Sequence, residues 1–257
     1  MSEISLEKQR LKENLKRNFG DNVLYYLKFT RQQKWAQDIL DGKLFMNRVQ
    51  YYRDLEICEG AKGQGDCVEL QSRIFDANLQ FTNKETNFSF PVRATSMSFE
   101  YPEDRNIPVF CITGLTIEDM EIGEFNDNYV ELHLPYSNMD IEKLKNEFGE
   151  YVVVLSGNKF EEVLSEKLPN QDLSWIYGKV KYCPPNSFER VQAFSECSPE
   201  RFLYKDLDFK HQKEFRLAID KEIENPMIFE VGSLADGGKI FTMEEFLQIK
   251  ITLNLKR

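Results

Sequence analysis

Histidine and cysteine are too few and too scattered in this chain to suggest a metal site. The two histidines, His133 and His211, lie far apart, and the five cysteines (Cys58, Cys67, Cys111, Cys183 and Cys197) form no CxxC pair. A structural zinc site needs closely spaced thiolate and imidazole ligands, so none is expected. An odd set of thiols suits a reducing compartment and a cytoplasmic protein. No apolar run approaches the roughly 18 residues that cross a bilayer, and no signal-type segment opens the sequence, so no membrane partner is expected. Basic excess is missing too: 33 Lys and Arg face 43 Asp and Glu, a net charge of -10. That balance argues against a general nucleic-acid coat, which needs clustered cations to release counterions. The glycine-bearing stretch 59–66 lacks a following Gly-Lys-Ser/Thr and a helix pattern, which excludes a phosphate loop.

What the chain does have is apolar bulk. Apolar residues make up 41% of its 257 residues, with 20 Phe and 11 Tyr, enough for a sizeable core within one large domain spanning 1–257. Leu11, Leu15 and Phe19 recur four apart and predict an amphipathic helix over 5–19, stopped at Gly20. Val23 to Phe29 reads as a strand, 33–40 as a helix closed at Gly42, and Leu44 to Met46 as a short strand. Further strands are expected over 74–81, 88–99, 109–113, 129–134, 151–155, 175–182, 214–219, 227–231 and 249–255. Asn83 to Thr86 is a turn between the first two of these. Helices are expected near 139–148, 158–167 and 242–247, and from Ser198-Pro199-Glu200 onward. Strands and helices mixed without a repeat make an α+β domain.

The most informative residue is Glu214. It opens a strand after the charged approach Lys210-His211-Gln212-Lys213, and period-two alternation sets Glu214 and Arg216 on the face opposite Phe215, Leu217 and Ile219. A carboxylate at a strand mouth stabilises a developing cation or orients a nucleophile. The plainer alternative is an exposed ion pair with Arg216. His211 lacks a triad partner and reads as a surface histidine.

The order strand, Lys28-Phe29-Thr30, helix, Gly42, Leu44 resembles the opening of ADP-ribosyltransferase folds. Gln212-Lys213-Glu214-Phe215-Arg216-Leu217 resembles the Glu-Phe-Leu-Val strand of DNA-targeting ADP-ribosyltransferase toxins, whose glutamate is catalytic. The chain is also similar to a bacterial family linked to phage defence, through Leu27-Lys28-Phe29, Cys111-Ile112-Thr113 and Glu214-Phe215-Arg216. Lys28 stands where such folds usually carry His or Arg, and Thr95-Ser96-Met97-Ser98 stands in for a Ser-Thr-Ser triplet.

The resemblance implies an ADP-ribosyltransferase-like arrangement of mixed sheets and an NAD-dependent mono-ADP-ribosyltransferase, a toxin or anti-phage effector checked by an antitoxin or regulatory protein. Its acceptor would be RNA, DNA or protein. Glu214 would be catalytic, stabilising the oxocarbenium-like cation formed when the nicotinamide–ribose bond breaks. Lys28 would sit at the adenosine ribose or pyrophosphate, Thr30 among the residues that bind NAD, Arg48 at a phosphate, Tyr51 and Tyr52 against nicotinamide, and Ser96 and Ser98 beside the nicotinamide half or Glu214. Each has a bland counterpart. Lys28 would be a solvated strand end, Arg48 a surface charge, the tyrosines a cover for the core edge, and the serines a solvent-facing stripe. Two other functions compete: a metal-dependent nuclease using Asp66, Glu69 and other acids, and a non-catalytic sensor of a phage or host protein.

Overall fold

The computed structural model describes residues 3–59, 68–170 and 172–255. The Gly63–Gly65 stretch and Asp66 lie outside these. The chain begins α1 (Glu3–Phe19), β1 (Tyr25–Thr30), α2 (Gln33–Leu40), β2 (Lys43–Arg48), α3 (Val49–Glu59), β3 (Ser72–Thr82) and β4 (Ser89–Phe99). It continues β5 (Pro108–Leu115), β6 (Glu121–Phe125), β7 (Tyr129–His133), α4 (Asn138–Phe148), β8 (Tyr151–Ser156), α5 (Gly157–Lys167), β9 (Trp175–Lys179) and β10 (Lys181–Tyr182). It closes with α6 (Phe188–Ser195), β11 (Tyr204–Lys205), β12 (Glu214–Ile219), β13 (Met227–Glu230), β14 (Gly238–Thr242), α7 (Met243–Phe246) and β15 (Ile251–Asn254). This is an α+β fold with mostly antiparallel pairing, the class the sequence led us to expect. Among the described residues no helix is long and apolar enough to cross a membrane.

The chain forms two compact units, each assembled from separated segments. The first comprises Met1–Phe45, Ile112–Asp172 and Ile228–Arg257; the second comprises Met46–Cys111 and Leu173–Met227. In the first, β1 lies antiparallel to β8 in a register running from Tyr25 opposite Ser156 to Thr30 opposite Tyr151. On its far side β8 pairs with β14. The narrow stripe of α1 behaves as its spacing dictates: Leu15 is buried, and Leu11 and Phe19 pack against the same core as Leu27, Val152 and Phe246. Gly20, at φ +58, reverses the chain after that helix, and its N–H returns to the Lys16 carbonyl at 2.8 Å.

In the second unit β3 and β4 form a long hairpin from Ser72 opposite Phe99 to Thr82 opposite Ser89. Its turn is where the sequence puts it. The Asn83 Oδ1 accepts the N–H groups of Glu85 and Thr86 at 2.9 and 3.0 Å. β12 runs antiparallel to β9, with Phe215 opposite Lys179 and Ile219 opposite Trp175, and also pairs with β5. Every residue of β12 is buried, the polar ones included. Alternation therefore correctly groups Glu214 with Arg216, but the solvent-exposed ion pair offered as an alternative is overturned: neighbours cover both faces of this strand. Two smaller corrections concern boundaries. The strand expected over 175–182 breaks into β9 and β10, and the helix starting at Ser198 is a 3-10 turn, Pro199–Leu203.

One tight reversal fixes the edge of the first unit. Gly42 has φ +82, and a Cβ built there would lie 1.8 Å from the Gly232 carbonyl oxygen. Gly42→Ala should therefore cost more than about 2 kcal/mol, from left-handed strain plus collision with rigid backbone. Gly20 has φ +58 and nothing within 4 Å of its Cβ position, so Gly20→Ala should cost only the conformational term of about 1 kcal/mol. Urea midpoints at unchanged m-value check the order; equal shifts would refute it.

Candidate functional site

Glu214 is delivered to its position by an unusual backbone step. Lys213 adopts φ 46, ψ 43 at the end of the 3-10 turn Leu207–Gln212, which swings the chain from that turn into β12. The Glu214 N–H donates to the Tyr182 hydroxyl at 2.8 Å, and its carbonyl accepts from the Val180 N–H at 2.9 Å. Both backbone groups are thus satisfied before the side chain is considered.

The side chain enters a buried ionic network. Glu214 Oε1 accepts from Arg216 Nε at 2.9 Å and lies 2.8 Å from Arg216 Nη2. Its Oε2 accepts from Lys205 Nζ at 3.0 Å. Arg216 Nη1 donates to Glu69 Oε1 at 2.8 Å and to the Phe202 carbonyl at 2.9 Å. Lys205 also donates to Gln212 Oε1 at 2.9 Å and sits over the Phe209 ring. Glu214, Arg216, Lys205 and Glu69 are only 4%, 2%, 5% and 4% exposed, so the charges are removed from water together. Two anions and two cations leave this group neutral, the condition under which burial is tolerable.

Burial by itself pushes the Glu214 carboxyl upward, but the Arg216 and Lys205 charges, with hydrogen bonds from Cys111 and Lys205, hold it well below the ordinary carboxylate range. Burial likewise works against the cations and is overcome. Glu214 and Glu69 raise Arg216 well above its usual value and raise Lys205 as well. Tyr52 and Tyr182 feel burial first and the Glu214 charge among the rest, and both phenols are pushed upward and stay protonated. The arrangement offers a fixed, permanently ionised carboxylate flanked by neutral phenols. Such a group stabilises positive charge; it is a weak proton acceptor.

The other sequence candidates divide by location. Tyr52, on α3, packs against the core of Val49, Leu70, Phe202 and Ala218 and senses the Glu214 charge. Tyr51 is exposed and meets the Tyr52 ring edge-on at 5.4 Å. Arg48 ends β2, half-buried and opposite Pro108. Ser96 and Ser98 are exposed on β4, opposite Phe75 and Arg73, and take no part in the buried network. Lys28 and Thr30 belong to the first unit. Lys28 is half-buried on β1 opposite Val153, and Thr30 is buried with its hydroxyl donating to the Gln32 carbonyl at 3.1 Å. His211 is exposed, its Nδ1 3.1 Å from the Asp208 carbonyl.

Sequence reasoning missed Lys205 and Tyr182. The one usable signal is an apolar run, Phe202-Leu203-Tyr204, that ends in a lysine. Glu69, weighed only as a nuclease acid, is bonded to Arg216, and among the described residues no group of three or more His, Cys, Asp or Glu is placed to hold a metal ion. Comparison with family models, with curated proteins and with solved structures finds no match for this chain.

The network makes a stability prediction with a definite sign. The Glu214 carboxyl has a folded-state pKa below its unfolded value near 4.5. The stability it contributes is complete above that pH and is lost as pH falls through the depressed value. Glu214→Gln should cost about 3–5 kcal/mol at neutral pH and flatten the acid limb of the stability curve, whereas Ser96→Ala and Ser98→Ala should stay within about 0.5 kcal/mol. Denaturant titrations between neutral and strongly acid pH decide this. An unchanged acid limb in Glu214→Gln would show that the carboxylate is not what drives acid unfolding.

Proposed function

We propose that the chain is an NAD-consuming mono-ADP-ribosyltransferase, a toxin or anti-phage effector that modifies a nucleic acid or protein, with Glu214 as its charge-stabilising carboxylate. The observation that supports this reading is the state of Glu214: buried, ionised and immobilised at the start of β12. When the bond between the ribose C1′ and the nicotinamide nitrogen breaks, the electron pair leaves with nicotinamide and the sugar becomes oxocarbenium-like. A carboxylate whose orientation is already set by Arg216 and Lys205 stabilises that cation without reorganising. The acceptor then forms the new bond at C1′ and releases its proton. Glu214, held so far toward its anion, is not the base that takes it.

A second reading has its own support. Both Glu214 oxygens are already engaged by cations, which suits a non-catalytic sensor in which the network only holds the second unit together. The test separates the two. Wild type, with NAD and RNA, DNA or protein acceptors, should release nicotinamide with or without a chelator. Glu214→Gln that still melts cooperatively should lose at least about 100-fold of that release. A folded wild type that leaves NAD intact with every acceptor class would end the transferase reading and favour the sensor.

A further inference from the structure

A different part of the second unit holds an arginine whose charge is poorly matched. Arg190, on α6, is 1% exposed. Its Nη2 donates to the Gln71 carbonyl oxygen at 2.5 Å, while its Nε and Nη1 are buried with no hydrogen-bond partner. A buried guanidinium held by one neutral carbonyl carries a desolvation cost that its contacts do not offset.

Gln71 gathers further cations around the same point. Its side-chain oxygen accepts from Arg73 Nη2 at 3.4 Å, and its side-chain nitrogen donates to Glu100 Oε2 at 2.8 Å. Arg53 Nη1 donates to that same Oε2 at 2.9 Å, and Arg105 bonds the other Glu100 oxygen. Arg73 Nε and Arg105 Nε are also buried without a partner. Arg53 and Arg105 therefore share the Glu100 carboxylate, while Arg73 and Arg190 bond the side-chain and backbone oxygens of Gln71, in a chain whose net charge is -10. Burial pushes the Glu100 carboxyl up, yet hydrogen bonds from Arg53, Gln71 and Arg105 bring it down to about 2, so near neutrality it stays an anion whose single charge is divided between Arg53 and Arg105.

We infer that Arg73 and Arg190, which both bond Gln71, and Arg105, joined to Gln71 through Glu100, form a binding site for a compact phosphoryl oxyanion. Planar guanidinium edges match the oxygens of a phosphoryl group, which offers several acceptors around one centre. The unpartnered N–H groups on three separate arginines call for such a many-sided acceptor, whereas a single carbonyl or hydroxyl would satisfy one of them. The inference is independent of the transferase reading, since it needs neither Glu214 nor turnover of NAD.

The test is calorimetric titration of the full chain with inorganic phosphate and, separately, with ADP, against sodium chloride at matched ionic strength. The expected result is saturable binding and a raised melting temperature, with affinity at least tenfold weaker in Arg73→Gln and Arg105→Gln. Those two side chains are less buried than Arg190, so the variants remain informative if Arg190→Gln fails to fold. Binding of both probes identifies a free phosphoryl group as sufficient, and binding of ADP alone identifies a nucleotide-borne phosphate. No saturable binding of either probe, or unchanged affinity in both folded variants, overturns the site.

Discussion

The second unit is organised around the buried pairing of Glu214 with Arg216. Four ionic side chains from three separate segments are drawn out of water together, and each anion finds a cation: Glu214 meets Arg216 and Lys205, and Glu69 meets Arg216. Removing an isolated charge from water costs several kcal/mol, so no one of these segments can take its place without the others. Apolar residues of equal volume would stabilise a core as well or better, and charge is the costly solution. What charge adds is direction. The bonds from Arg216 and Lys205 orient the carboxylate in a way that packing alone would not.

Much of the architecture is readable in the sequence because local signals are strong where a single face is buried. The four-residue spacing of Leu11, Leu15 and Phe19 gives α1, and the helix predicted over 33–40 coincides with α2. α3 was illegible for a local reason. Arg48 stands just before it in place of a capping Ser, Thr, Asp or Asn, and its first turn holds Val49, Tyr51 and Tyr52, β-branched and aromatic residues that suit strands equally well. The two tyrosines consequently sit on a helix, where one is a core cover and the other is exposed.

The site was legible only in part. Glu214 and Arg216 fall on one strand face by simple alternation, so their pairing is a short-range fact. The burial of that face depends on neighbouring strands that no local pattern announces. Glu69 meets Arg216 across 147 residues of chain, and Lys205 reaches Glu214 from a different, two-residue strand. Partnerships of that range depend on topology, and neither residue type nor spacing carries a trace of them. The serines of β4 show the converse: a motif that looked chemical in sequence lies on an exposed hairpin.

Three buried or partly buried arginines of the second unit show how differently one side chain can be satisfied. Arg216 is bonded to two carboxylates and a carbonyl. Arg201 grips both oxygens of Asp104 at 2.6 and 2.7 Å, donates to the carbonyls of Cys197 and Ser198, and lies against the Tyr101 and Phe202 rings. Arg190 is as deeply buried as Arg216, yet it has one carbonyl. Because the fold evidently can build complete shells for guanidinium, the incomplete one is not explained by a general shortage of acceptors. Glu69 and Gln71 sharpen the contrast. They lie two residues apart, the first completing the shell of Arg216 with a carboxylate and the second offering Arg190 and Arg73 only amide oxygens. The same short segment thus neutralises one arginine and leaves positive charge concentrated at the next, and positive charge held in low dielectric is what draws an oxyanion.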